Sequence, residues 1–307
     1  MNFLLFLEQI LNGLQFGVFL FLISAGLTLV LGIMNVVNLA HGALYMMGAY
    51  FAATFFAWTG SLWIAFFLMI PASLAIGMAV EVITLRRLYD RDHMDQVLAT
   101  FGLILFFNEG VKLIWGVESQ NMPIPEALSS GVEIFPDAPY PTYRLAIIGV
   151  GLLVAVVLYF FISRTRTGML IRAGASNGPM IRALGVNIRL LYTVIFGIGA
   201  FFAGLAGLMA GPILSVEPGM GDDMLILAFV VIVIGGIGSI RGALVASILV
   251  GVFEVVGRSY LPALLDELLS SDVAQTVGPA LASMLIYILM ILVLFFRPQG
   301  LFPARTG

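Results

Sequence analysis

The sequence has no cysteine, two histidines, and only 10% charged residues. Disulfides and thiol chemistry are therefore excluded, and two histidines do not suffice for an all-protein metal site. His41 and His93 lie 52 residues apart, so no H-E-x-x-H metalloprotease pair exists. A nucleotide-binding P-loop is missing as well. The nearest stretch, GGIGSIRG at 235–242, is glycine-rich but carries no lysine followed by Ser or Thr. No basic tract suited to nucleic acid occurs. The N-terminal MNFLLFLEQILNG lacks the basic n-region of a secretory signal, and its apolar run continues too far for one. It reads as a retained first membrane segment.

What is present is apolar. Hydrophobic residues make up 61% of the chain and the mean hydropathy is +1.10. Soluble domains average about 45–50% apolar and about 25% charged residues. The solvent for such a chain is a bilayer. Crossing a ~30 Å hydrocarbon core takes about 20 helical residues, and nine candidate spans follow: Ile10–Met34, Ala43–Trp58, Leu62–Leu85, Val97–Trp115, Leu145–Ser163, Leu191–Ile213, Met224–Ile237, Ala243–Tyr260 and Pro279–Phe296. The seventh is short and reads as a half-helix or re-entrant element. The expectation is an all-α polytopic membrane protein, a single transmembrane domain over 1–307 with about 8–10 transmembrane helices and broken or re-entrant segments.

The distribution of charge orients the chain. If nine spans alternate, Arg86, Arg87, Arg91, Arg164, Arg166, Arg172, Arg182, Arg189, Arg241, Arg297 and Arg305 share one face, eleven of the fourteen basic residues. The positive-inside rule makes that face cytoplasmic, so the N-terminus lies outside and the C-terminus inside. The opposite loops are acidic, with Glu118, Glu126, Glu133, Asp137, Glu217, Asp222, Asp223, Asp266, Glu267 and Asp272. There, Arg144 alone among basic residues lies beyond a span end.

Two loops are long. The external one, 118–143, contains five prolines, which stiffen it towards a shaped surface. The internal one, 164–190, carries Met169, Leu170, Met180, Ile181, Leu184 and Val186 in short amphipathic turns, with a break expected at Gly178-Pro179. Such a segment either lies in the lipid interface or docks on a partner.

Intramembrane charges invite a functional reading. Glu109 and Lys112 stand at i,i+3, Glu254 and Arg258 at i,i+4. Both spacings allow pairing on one face. Glu81, one turn before Arg86, is expected to snorkel to the interface. Backbone breaks are more informative, because non-helical backbone at membrane depth persists only where protein buries it or water meets it. LAHGAL at 39–44 and SIRGAL at 239–244 are similar interruptions in corresponding places. Such pairs point to a translocation site. They nominate Asn35, Asn38, His41 and Gly42 in the first break, and Gly235, Gly236, Gly238 and Ser239 in the second. A structural alternative has the polar side chains of the first break capping the restarting helix at the cytoplasmic interface. The small residues of GIGAFFAGLAGLMAG, 197–211, suit close helix packing.

NVVNLAHGALYMMGAY, RAGASNGPMIRALGVN, FGIGAFFAGLAGLMAG, VVIVIGGIGSIRGAL and the terminal RPQGLFP follow one another as they do in the permease subunits of ABC importers for branched-chain amino acids. The chain resembles the shorter of that family's two paired permeases over nearly its whole length. The resemblance implies a multi-pass protein of the bacterial inner membrane with a second permease subunit, two ATPase subunits that bind the ATP, and a periplasmic substrate-binding protein. No cofactor is implied in this chain. It implies that 164–190 is the ATPase-coupling segment, with Arg172, Ala173, Ala175, Asn177 and Gly185 as its candidate residues. Ser176 and Asn177 stand where relatives commonly carry an acidic residue, which departs from the pattern. The competing reading is a secondary transporter driven by an ion gradient through Glu109 or Glu254.

Overall fold

In the computed structural model, residues 3–135, 138–267 and 270–303 are described, excepting the side chains of residues 3, 135, 138, 175–179 and 271. Ten α-helices are present among them: α1 Phe3–Met34, α2 His41–Thr59, α3 Leu62–Ile83, α4 His93–Trp115, α5 Thr142–Arg164, α6 Arg166–Ala183, α7 Ile188–Ala210, α8 Met220–Gly235, α9 Ile240–Asp266 and α10 Ser271–Phe296. All but α6 fall on the nine apolar segments of the sequence. The protein is an all-α polytopic membrane protein. Seven of the described helices are long and apolar enough to cross a bilayer by themselves; α2 and α8 are not among them.

Contacts between helices give their relative directions. Along α1, Gly13 and Gly17 approach Val252 and Ile248 of α9, while Gly32 approaches Gly238, just before α9 starts. The two helices are antiparallel. Gly26 meets Gly199 of α7, and Ile33 and Leu191 meet over Gly174 of α6, so α7 also runs against α1. Ser73 of α3 touches Gly204, and Gly77 touches Ala200, which sets α3 against α7 and parallel to α1. Hence α2 must return the chain between α1 and α3, and α8 must do so between α7 and α9. At ~1.5 Å per residue, the 16-residue α8 spans only about 24 Å. Irregular backbone on either side makes up the remainder.

The same geometry gathers the arginine-bearing ends. Arg241 at the start of α9 bonds the Tyr159 hydroxyl near the end of α5 at 3.2 Å, its guanidinium 5.1 Å above that ring. Arg172 of α6 donates to the Ile162 carbonyl. Arg86 after α3 reaches Thr193 in α7. One face thus collects these cations; Arg305 and Asp137 lie outside the described residues.

Helices α1 and α7 form the interior, the most apolar 18-residue stretch of each being 83% buried, against 17% for α4 and 11% for α10. With lipid as apolar as leucine, helices associate through close packing of small residues. At the α2–α7 crossing a β-carbon on Gly48 would stand 2.1 Å from the Gly204 Cα. Strands β1 Gly131–Phe135 and β2 Ala138–Pro141 pair antiparallel, and Gln120 bridges to Val216 in the loop after α7.

One comparison tests this packing. Gly48→Val overfills a backbone-to-backbone contact and is expected to cost about 1–3 kcal/mol or more. Gly149→Val, at a position with open space around it, is expected to be near neutral. Thermal unfolding in detergent distinguishes them, and equal stability of the two variants would contradict the crossing.

Candidate translocation site

The first break is a return path through the protein interior. Asn35 ends α1 in the left-handed region, φ 51°, the one described non-glycine residue with positive φ. It is exposed, and its N–H still bonds the Leu31 carbonyl at 3.1 Å. Asparagine tolerates this conformation because its short polar side chain can bond locally. The chain then doubles back alongside α1. At the first residue of α2, His41 donates from Nε2 to the Ile23 carbonyl at 3.1 Å. Ile23 lies 11 residues before Met34, or about 16 Å of helix. Six residues, 35–40, cover that return, with Val36, Asn38 and Ala40 fully buried.

The capping alternative does not hold. The residue preceding α2 is Ala40, which makes no side-chain cap bond. Asn38, buried, leaves both Oδ1 and Nδ2 without a hydrogen-bond partner. Further groups share this state. Ser24 Oγ, Thr28 Oγ1, His41 Nδ1, Tyr45 OH and Tyr50 OH are also buried and unpartnered among the described residues. Buried polar atoms are nearly always hydrogen-bonded, so this concentration in α1, the break and α2 is costly unless a ligand, water or another conformation supplies partners. Sequence reading found Asn38 and His41 but missed Ser24, Thr28, Tyr45 and Tyr50. Hydroxyls inside apolar helices are common and carry no distinguishing local signal.

The second break is partnered with the first through α8. Gly42, second in α2, abuts Gly221 at the start of α8; a β-carbon on Gly42 would lie 2.3 Å from the Gly221 carbonyl oxygen. Gly242, third in α9, abuts Gly235 at the end of α8, with the corresponding distance 2.0 Å. The glycines of the two G-A-L restarts therefore clamp opposite ends of one short helix. Ser239 caps α9 by accepting from the Gly242 N–H at 3.1 Å. The C-terminal end of α8 has orphan carbonyls to satisfy, and the RPQGLFP tail supplies donors: Leu301 N–H to Ile234 O at 2.8 Å and Phe302 N–H to Gly235 O at 3.0 Å. Gly236, φ 103°, and Gly238, φ 80°, shape this junction. Gly235, Gly236 and Gly238 thus stand at helix-end and tail contacts, and Gly42 at the other end of α8.

Three ion pairs are seen among the described residues. Lys112 and Glu109 meet at 2.7 Å on an exposed face of α4. Arg258 pairs with Glu254, whose side chain is buried, and also bonds Ser283 Oγ at 3.1 Å. The third pair corrects an expectation. Glu81 does not snorkel; it is fully buried. Arg86 grips its carboxylate with Nε at 3.2 Å and a terminal nitrogen at 3.0 Å. Thr193 accepts from Arg86 at 2.7 Å and donates to Glu81 at 2.6 Å, and Tyr89 donates to Glu81 as well. Burial, and then the hydrogen bond to Glu81, push the Tyr89 hydroxyl up from its usual range, so it stays a donor. With four hydrogen bonds from three side chains, the carboxylate has no need to reach water. It ties the end of α3 to the start of α7, where α6 joins.

Helix α6 also departs from expectation, since it runs unbroken through Gly178-Pro179. Its ends are well made. Thr165 accepts from the Gly168 N–H at 3.0 Å. At the other end, Gly185 N–H bonds Arg182 O and Val186 N–H bonds Ile181 O. This is the paired C-terminal motif that requires a left-handed residue, and Gly185 supplies it with φ 85°. Arg172 and Ala173 are exposed. Ala175 and Asn177 lie outside the described side chains.

Antiparallel helices with two interrupted returns, arginines gathered at one face and unpartnered polar groups inside make up a polytopic membrane protein. The chain belongs to the family described as branched-chain amino acid transport system / permease component, which it matches over residues 9–294. It is 32% identical to the high-affinity branched-chain amino acid transport system permease protein BraD of Pseudomonas aeruginosa, covering 96% of this chain and 95% of that protein. Identity to the corresponding LivH protein of Escherichia coli K12 is 30%, over 98% and 96%. A more distant similarity, 24% over 80% of this chain and 75% of the other, is to the ribose import permease protein RbsC of Haemophilus influenzae. No solved structure matches the chain.

Two substitutions probe these groups. Arg86→Ala strips a buried carboxylate of its counter-ion and is expected to destabilise the protein, read as a lowered unfolding temperature. Asn38→Leu removes an unsatisfied amide with little change of shape. It is expected to be neutral or to stabilise by about 1–3 kcal/mol while lowering transport per assembled complex; reduced stability with unchanged transport would show Asn38 to be structural.

Proposed function

We infer that this chain is a permease subunit of an ABC importer for branched-chain amino acids in a bacterial inner membrane. The similarity to BraD along nearly the whole of both chains carries this reading. The pathway is assigned to the returns at 35–42 and 235–242, where the unpartnered polar groups near the first would gain partners from substrate or water as the helices shift. The partners are a second permease, two ATPase subunits and a periplasmic binding protein. ATP binds the ATPase subunits, because no P-loop lysine exists in this sequence. The arginine-bearing face is cytoplasmic by the positive-inside rule, which puts the N-terminus outside and the C-terminus inside.

Helix α6 is the coupling element. It sits on that cationic face with exposed Met169, Met180 and Leu184, an apolar set available to an ATPase groove. An ion-driven transporter is the weaker reading, since Glu109 and Glu254 are both paired with cations.

Two measurements check the assignment. Proteoliposomes holding the permeases and ATPases, supplied with binding protein and ATP, are expected to take up leucine, and the chain alone to take up none. Uptake by the chain alone under a proton or sodium gradient would replace this reading with the ion-driven one. In the cysteine-free background, Ser129→Cys is expected to react with an impermeant maleimide from outside, and Arg182→Cys only after the membrane is opened. The opposite pattern reverses the orientation.

A further inference from the structure

A cavity of about 280 Å³ opens between α1, α5, the loop after α7, and α9. It lies at the ends of these helices remote from the arginine-bearing face, because Asn12 in α1 and Arg144 at the start of α5 both line it. Its chemistry is divided. Its lining mixes polar residues, among them Asn12, Gln15 and Arg144, with apolar ones such as Phe19, Leu214 and Val255.

The polar groups are organised around Arg144. Asn12 Oδ1 accepts from the Tyr140 hydroxyl at 3.1 Å and from Arg144, which fixes the guanidinium against α1. Arg144 has no carboxylate partner among the described residues, although the loops on this face are acidic. Gln15 is 6% exposed, lines the same cavity, and has no hydrogen-bonded partner for its side chain among the described residues. A guanidinium offers several donors in a planar fork suited to a carboxylate, and the Gln15 amide lines the same cavity. Small-molecule sites combine such convergent polar groups with apolar walls and occupy about 300–1,000 Å³; this one stands at the lower edge of that range.

We propose that this cavity is an outer vestibule site for the transported amino acid, in which Arg144 and Gln15 bind the α-carboxylate and Phe19, Leu214 and Val255 receive the aliphatic side chain. The proposal rests on the importer reading above and adds where, and by which end, the substrate is first held. Gln15 acts as a donor from its amide nitrogen, and Asn12 positions Arg144 rather than touching substrate.

The test uses the assembled transporter in proteoliposomes, with partners freed of cysteine and Ser215→Cys introduced beside the rim, where Ser215 is exposed. Leucine at about 10 mM, an order above the ~1 mM upper end of common KM values, is expected to slow maleimide labelling roughly tenfold by occupancy. Leucinamide, which has no carboxylate, is expected to leave the rate unchanged. Arg144→Gln and, separately, Gln15→Leu are each expected to abolish the protection by leucine. Gln15→Leu sacrifices no internal hydrogen bond, so it remains informative if the Arg144 variant does not assemble. Labelling indifferent to leucine, equal protection by leucinamide, or full protection in Gln15→Leu overturns the site. ATP-driven leucine uptake is measured on the same vesicles: uptake without protection rejects the vestibule alone, and no uptake of any branched-chain amino acid rejects the functional reading beneath it.

Discussion

Close approach of backbones at small residues holds this permease together. Lipid removes the hydrophobic drive that would press one apolar helix against another in water, leaving dispersion and fit. Helix α1 shows the consequence. Gly13 and Gly17 let α9 lie against it, Gly26 lets in α7 and the His41 ring, and Gly32 admits Gly238. A side chain at any of these points would push a neighbour outward. The breaks depend on the same rule, since α8 can be gripped at both ends only because Gly42 meets Gly221 and Gly235 meets Gly242.

That packing also determines where the chain can leave helical geometry. Backbone freed from a helix in a bilayer must find partners within the protein or meet water. At the end of α8 the terminal tail provides them, with Leu301 and Phe302 donating to the last carbonyls. The return at 35–40 is different. It is buried against α1, yet Asn38 and the hydroxyls around it stay unpartnered. One interruption is completed by hydrogen bonds from the tail, while the polar side chains around the other remain unpartnered among the described residues.

At the cationic face, the Glu81 cluster and α6 form one assembly. Glu81 holds Arg86, Tyr89 and Thr193 together, fixing the end of α3 to the start of α7. Helix α6 leads into that start and is closed by Gly185. Helix α6 is thus joined to α7, whose glycines pack against α1, α2 and α3.

Sequence by itself determined the features whose causes are local. Hydropathy placed nine helices, because about twenty apolar residues are needed to cross hydrocarbon whatever they pack against. Spacing of i,i+3 and i,i+4 put Lys112 beside Glu109 and Arg258 beside Glu254, and a glycine after an amphipathic run ended α6. Other features required the tertiary structure. The continuity of α6 through Pro179, the burial of Glu81, and the encounter of Gln15 with Arg144 do not follow from neighbouring residues. Thr193 is 112 residues from Glu81, and Arg144 is 132 from Asn12. The interhelical packing that brings them together leaves no periodic trace in the chain, so only the folded arrangement could decide that a glutamate expected at the interface would be enclosed and that the lone outer arginine would face a cavity.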